Sequence, residues 1–262
     1  MSLAGRRCLL TGATQGIGRA TALALAAQGA DLVLAARSRA DLDDLASALA
    51  PYGVAVFTVA TDLSVAEQRE RLVAAALDRF GAIEVLINNA AVGLDAPIEE
   101  QSIDEGRYLF ELNLFAPLHL IQLLLPTMRQ QPQGQIVQIS SIVGLRAVPN
   151  SALYCASKYA LNGLSDALRA ELQGSHIVVT SIYPGVTRTN FVTNQLRSPR
   201  IRPRKGAVPP EQVAAVIVEA IRKRQRARYI TWRDRTLVAG TTLLPAPAEW
   251  LLGRLFRRRR GS

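Results

Sequence analysis

The chain has 262 residues, 49% hydrophobic and 20% charged, which suits one large α/β domain and excludes a disordered or fibrous protein. Its formal charge of +10 is local: residues 1–221 hold 19 basic and 19 acidic residues, whereas residues 222–262 hold 12 basic and 2 acidic ones. Two cysteines, Cys8 and Cys155, exclude a disulfide framework or a zinc cluster, and Cys8 in the apolar run Cys8-Leu9-Leu10 reads as a core residue.

The chain opens directly into a strand pattern without signal-peptide character, so a cytoplasmic location is expected. Strand-length apolar runs are predicted at residues 6–11, 31–36, 54–60, 83–87, 135–140, 177–182 and 229–232. Helical patterns lie between them at 18–28, 41–49, 66–80, 105–129, 151–172 and 210–226. Several strands are nearly continuous in Val, Leu and Ile, as burial on both faces requires. The alternation predicts one doubly wound parallel sheet, Rossmann-like and of about seven strands, with helices on both faces. Residues 1–232 form the expected dinucleotide-binding and catalytic domain, with a lid at 187–210. Residues 233–262 form a basic, apolar C-terminal extension.

The first strand runs into Thr11-Gly12-Ala13-Thr14-Gln15-Gly16-Ile17-Gly18, and a helix follows. Glycines at 12, 16 and 18 let a backbone turn tightly and approach a pyrophosphate, and the helix N-terminus offers free N–H groups to it. Gly12, Thr14, Gln15, Gly16, Ile17 and Gly18 are therefore candidate cofactor residues. An acid at the end of the second strand would bond a ribose 2′-OH and favour NAD(H). The sequence instead reads Ala36-Arg37-Ser38. A guanidinium forks onto a 2′-phosphate and a hydroxyl adds to it, so Arg37 and Ser38 predict NADP(H) in preference to NAD(H).

Tyr154 and Lys158 are four residues apart in a helical segment and share one face. A tyrosine with its reference pKa near 10 is a poor acid–base at neutral pH. An ammonium at Lys158, together with the charge of an oxidised nicotinamide, is expected to favour the phenolate. Tyr154 is then the general acid or base for a carbonyl–alcohol pair. Ser141 follows the fifth strand at the edge where substrate belongs, placed to bond the same oxygen. Asn113 lies between Leu112 and Leu114 in a helix interior, an unfavourable place for an amide without a task. Holding a water that connects Lys158 to solvent would be such a task.

With these pieces in order, the chain resembles the short-chain dehydrogenase/reductase family. The matching residues are Thr11–Gly18, Asp62-Leu63, Asn88-Asn89-Ala90, Asn113, Ser141, Tyr154 with Lys158, and Pro184-Gly185, spread from about Arg6 to Trp232. The resemblance implies that Asp62 and Leu63 lie at the adenine and Asn89 along the cofactor. It places Pro184, Gly185, Thr187 and Thr189 at the nicotinamide carboxamide, and Tyr154 with Lys158 on its ribose. It also implies Ser141 as the orienting group, Tyr154 as the acid–base and Asn113 in the proton relay. Two departures stand out: Ala91 replaces a usual glycine, and the chain continues for thirty residues after Trp232.

Residues 190–210 carry Arg197, Arg200, Arg202, Arg204 and Lys205 without an acid, which reads as a basic lid. The extension mixes Trp250, several leucines and Phe256 with Arg257–Arg260. Prolines 245 and 247 break it too often to span a bilayer, but it has the makings of an interfacial anchor; the alternative is a helical pair packed on protein. The substrate wall is expected from Ile142, Val143, Leu145, Ala147, Val148 and residues 92–96, which suits a small apolar carbonyl or alcohol. A 3-oxoacyl-carrier-protein reductase is the second enzyme reading, and a dinucleotide-binding scaffold or sensor without turnover a remote third. Helices 105–129 and 151–172 resemble the family's subunit-pairing helices, so a homodimer or tetramer is expected. No metal site and no nucleic-acid partner are expected, since the basic residues lack a reading helix or aromatic platform.

Overall fold

The computed structural model describes residues 2–191, 195–197 and 206–257. Arg200, Arg202, Arg204, Lys205 and Arg258–Arg260 lie outside the described residues, as do the side chains of Leu255, Phe256 and Arg257. Seven strands, β1 (Arg7–Thr11), β2 (Asp31–Ala36), β3 (Val56–Ala60), β4 (Val85–Asn88), β5 (Gly134–Ile139), β6 (Ile177–Tyr183) and β7 (Ala227–Tyr229), form one sheet in the order β3-β2-β1-β4-β5-β6-β7. Every pairing is parallel. The order reverses between β1 and β4, the switch point where ligands of such sheets bind.

The period-two alternation of the strands divides the core. Cys8, Leu10, Leu32 and Leu34 face one layer, with Leu25 of α1 (Gly16–Ala26), Leu45 of α2 (Arg39–Leu49) and Ile217 of α7 (Pro210–Arg222). Leu9, Val33 and Leu86 face the other, with Leu72 of α3 (Ala66–Phe80), Leu124 of α5 (Ala116–Met128) and Leu168 of α6 (Ala152–Glu171). Each such leucine or isoleucine contributes about 1.5–3 kcal/mol by leaving water. Burial in this core pushes the Cys8 thiol up to about 12, which makes it inert at neutral pH.

Three predicted elements differ in the structure. The helix expected at 105–129 is α4 (Ile103–Phe110), one π-helical turn at Glu111–Phe115, and α5. Ile103–Met128 is long and apolar enough to cross a membrane, yet Leu120, Ile121 and Leu124 bury it against the sheet. The last strand ends at Tyr229 and not at residue 232, because Thr231 and Asp234 form a capping box that starts α8 (Trp232–Leu243). The extension then continues as α9 (Pro245–Arg257). The helix expected from residue 18 begins at Gly16.

Candidate active site

The turn after β1 is built around glycines that admit nothing larger. A Cβ on Gly18 would stand 1.9 Å from the Gly12 carbonyl oxygen, and one on Gly12 would stand 2.9 Å from the Ala90 Cα. Gly12 and Gly16 also have positive φ, the conformation that disfavours L side chains. Thr11 braces the turn: its Oγ1 accepts from the N–H groups of Asn89 and Ala90, both at 3.0 Å. Asn89 Nδ2 donates to the Thr11 and Gly12 carbonyls at 2.9 and 3.0 Å. Helices α2, α4 and α8 begin with a side-chain cap, whereas the N-cap of α1, Gln15, makes none. The cradle and the uncapped N–H groups fit a dinucleotide pyrophosphate.

Thr189 lies directly over this turn, 2.9 Å from the place of a Cβ on Gly16. Thr187 pairs with Val208 at the base of the lid and its hydroxyl donates to the Gly185 carbonyl at 3.3 Å. Thr14, Gly16 and Ile17 are half-buried, while Gln15 is exposed. At the far end, Asp62 Oδ1 accepts from the Ser64 hydroxyl at 2.7 Å, and Leu63 is buried beside it. Ser38 caps α2 through the Asp41 N–H at 3.2 Å. Arg37 is exposed and has no ion-pair partner among the described residues, whereas Arg39 is held by Asp43 at 3.0 Å.

On the other side of the switch point the structure brings Ser141, Tyr154 and Lys158 together. The Ser141 hydroxyl accepts from the Val143 N–H and donates to the Pro184 carbonyl, both at 3.3 Å, and it lies near enough to the Tyr154 phenol to favour its ionised form in part. Lys158 is 2% exposed and donates to the Ile139 carbonyl at 3.0 Å. Its Nζ lies 5.9 Å from the centre of the Tyr154 ring. Gly144 lets the segment after Ser141 pack closely on this part of α6, since a Cβ there would meet Lys158 and Asn162 at 2.9 Å.

The electrostatics differ from the expectation that Lys158 acidifies Tyr154. Tyr154 is half-buried as a residue, but its hydroxyl end is dry, and burial raises the phenol pKa above its usual value; Ser141 pulls it back only in part. Burial also brings the Lys158 ammonium down to about 8. Both shifts have one cause, the cost of a charge away from water. In both groups burial favours the uncharged form, the protonated phenol and the neutral amine.

Asn113 sits in the π-helical turn, with 1% of its surface exposed. Its amide is engaged with the backbone after β4 and with α6. Oδ1 accepts from the Val92 N–H at 2.9 Å, while Nδ2 donates to the Val92 carbonyl at 2.9 Å and to Ser157 Oγ at 3.1 Å. Ser157 in turn donates to the Tyr154 carbonyl at 2.8 Å. Asn113 thus pins the strand exit after β4 to the catalytic helix. The Ala91 methyl adds no backbone strain, because only Asn150 and Arg224 among described non-glycine residues have positive φ.

Phe191 and Leu196 carry no signal in the sequence, whereas Arg197 belongs to its basic lid and Asn88 to its family motif. Phe191 packs on the Tyr154 ring, with centroids 5.8 Å apart, and closes against Gly93. The Leu196 N–H donates to the Gly93 carbonyl at 3.1 Å, and Arg197 of the lid forks onto Glu105 at 2.7 and 3.0 Å. That pair and the Ser102 cap hold the Glu105 carboxyl down to about 2. Asn88 and Gln138, paired in register, leave buried amides without protein partners, as does the Ser140 hydroxyl. Ordered water is the usual remedy for such groups.

The short chain dehydrogenase profile matches residues 6–199. A ketoacyl reductase, HetN, of Nostoc sp. is 34% identical over 225 residues, spanning 85% of this chain and 77% of that protein. A short chain dehydrogenase/reductase of Burkholderia phymatum, solved with NAD, superposes with a TM-score of 0.85 at 27% identity, covering 94% of this chain and 96% of that one. An alcohol dehydrogenase of the archaeon Thermococcus sibiricus, solved with 5-hydroxy-NADP, gives 0.78 at 29% identity over 86% and 95%. Fold, glycine cradle and sequence agreement lead to one assignment: the chain belongs to the short-chain dehydrogenase/reductase family, oxidoreductases acting between CH–OH and C=O.

Proposed function

We propose that the protein is an NADP(H)-dependent reductase of small apolar carbonyl compounds, with Tyr154 as general acid. The observation that carries this reading is the junction of Ser141, Tyr154 and Lys158 beside the glycine cradle. Gly12, Gly16 and Gly18 would hold the pyrophosphate, Arg37 and Ser38 the 2′-phosphate, and Thr187 and Thr189 the nicotinamide end. The bound nicotinamide supplies the hydride. Ser141 positions the carbonyl oxygen, Tyr154 donates its retained proton to that oxygen, and Lys158 restores it. Asn113 and Ser157 fix the geometry from behind.

An apolar substrate is supported by the cluster against which Tyr154 packs, Val92, Leu94, Leu109, Leu153 and Leu196. Arg197 of the lid is already paired with Glu105, so this arginine offers no clamp for a carboxylate. NADP(H) is supported by Arg37 just after β2, exposed and without an ion-pair partner among the described residues. The resemblance to a ketoacyl reductase favours a second reading, reduction of 3-oxoacyl thioesters. A homodimer pairing through α5 and α6 is part of the proposal, since Phe115 and Tyr159 remain exposed beside them.

Cofactor titration tests the first half. NADPH should bind about 10–100-fold more tightly than NADH, the worth of a charge-assisted hydrogen bond, and Arg37→Ala should erase the difference. Equal affinities in the parent protein would overturn the cofactor assignment. A panel of hydrophobic ketones and 3-oxoacyl thioesters, followed by NADPH absorbance, decides between the substrate readings.

A further inference from the structure

Helices α8 and α9 carry apolar surface that the rest of the chain leaves uncovered. Trp232, Leu237, Leu243, Leu244, Trp250 and Leu251 are each more than half exposed. Arginines share that surface: Arg233 stacks over the Trp232 ring at 5.7 Å and Arg254 over the Trp250 ring at 5.3 Å, with Arg235 exposed nearby. The two acids of this stretch are engaged, Asp234 in the cap with Thr231 at 2.8 Å and Glu249 with Arg146 at 3.5 Å. Uncovered apolar area of this extent marks an interaction surface. A protein partner is favoured by an apolar centre depleted of charge, whereas indole rings interleaved with arginines suit the boundary between acyl chains and phosphate headgroups. Neither helix is long and apolar enough to cross a membrane.

We infer that α8 and α9 dock on an anionic lipid surface, lying in its plane with the tryptophans and leucines inserted and the arginines at the phosphates. The docking elements border the active site. Asp234 packs on Gly185, where a Cβ would stand 2.5 Å from its carboxylate. Arg146, five residues after Ser141, donates to the Pro245 carbonyl at 3.4 Å. The lipid surface therefore lies beside the segments that carry Ser141 and Gly185, and an apolar carbonyl compound reaches Tyr154 from the bilayer. That last step rests on the proposed substrate class; the docking does not.

Co-sedimentation of the full chain with phosphatidylcholine vesicles, with and without phosphatidylglycerol, tests the inference. The protein should partition onto the anionic vesicles only, and less as salt rises. Reversing Arg233, Arg235 and Arg254 to Glu should lower partitioning roughly 100-fold, and the pair Leu243→Glu with Leu244→Glu should abolish it. Both variants should retain NADPH oxidation with a water-soluble ketone, which shows that they are folded. No partitioning, or equal partitioning onto neutral vesicles, would overturn the docking. So would a drop in oligomer mass for the Leu243→Glu, Leu244→Glu protein in sedimentation velocity, since a second copy would then be the cover. Docking without ketone reduction in any variant would leave the lipid inference standing and remove the proposed function; ketone reduction without docking would do the reverse.

Discussion

Leu86 in β4 has no exposed surface, while Leu243 at the end of α8 keeps 80% of its own. The two leucines represent two regions. Up to Ile230, strands and helices cover one another in three layers, and nearly every large apolar side chain finds a partner layer. Among the described residues of α8 and α9 only Val238 and Ala248 are buried, because no described segment covers the outside of these helices. Apolar residues in the first region are spent on stability, whereas those in the second remain available for a surface outside the chain. Hydrophobicity alone does not distinguish these uses; the presence of an opposing layer does.

The contrast can be broken or sharpened by experiments of decreasing effect. Tyr154→Phe should lower kcat with a hydrophobic ketone about 1000-fold, within the range for loss of a positioned general acid, with NADPH affinity nearly unchanged in fluorescence titration. Retained turnover would place the chemistry elsewhere. Leu86→Ala should destabilise the protein by about 2–5 kcal/mol in denaturant unfolding. Gly18→Ala should cost about 1–3 kcal/mol and weaken cofactor binding sharply, because the new methyl collides with the Gly12 carbonyl.

A pH profile follows from Lys158, whose ammonium is brought down to about 8. Below that value the lysine holds the proton it returns to Tyr154; above it the proton is lost, so kcat for reduction should fall as pH rises through about 8. Lys158→Arg, a cation that does not give up its proton, should lower kcat at every pH and leave no limb near 8. The same shift has a stability counterpart: between about 8 and the ordinary lysine value of 10.5 the unfolded chain binds more protons, so the cost of burying Lys158 diminishes with rising pH there. The smallest effect belongs to the second region. Leu243→Ala should change unfolding free energy by no more than about 0.5 kcal/mol, as for other exposed sites, and a larger loss would mean that α8 is covered by protein.

Much of the fold was legible because its signals are local. The βα alternation, the glycine turn and the four-residue spacing of Tyr154 and Lys158 are sequence periodicities, and the structure reproduces their consequences within a few residues. The splitting of the helix at 105–129 was not legible. It depends on Asn113 meeting the Val92 backbone 21 residues away, and on Arg69 of α3 pairing with Glu111 at the same turn. The sequence pattern carries the last strand on to Trp232 because an aromatic beside Ile230 suits a strand as well as a helix start, until Asp234 closes the cap on Thr231.

The order of polar and apolar residues determined a doubly wound sheet, a phosphate-binding turn at its first strand end and a tyrosine–lysine pair on one helix face, since each follows from backbone sterics and helical or strand period. Tertiary structure alone decided that Tyr154 and Lys158 would both be dried, that Phe191 would pack on Tyr154 and Arg197 pair with Glu105, and that the apolar residues of α8 and α9 would face outward. These are properties of burial, and burial depends on which distant segments arrive to exclude water.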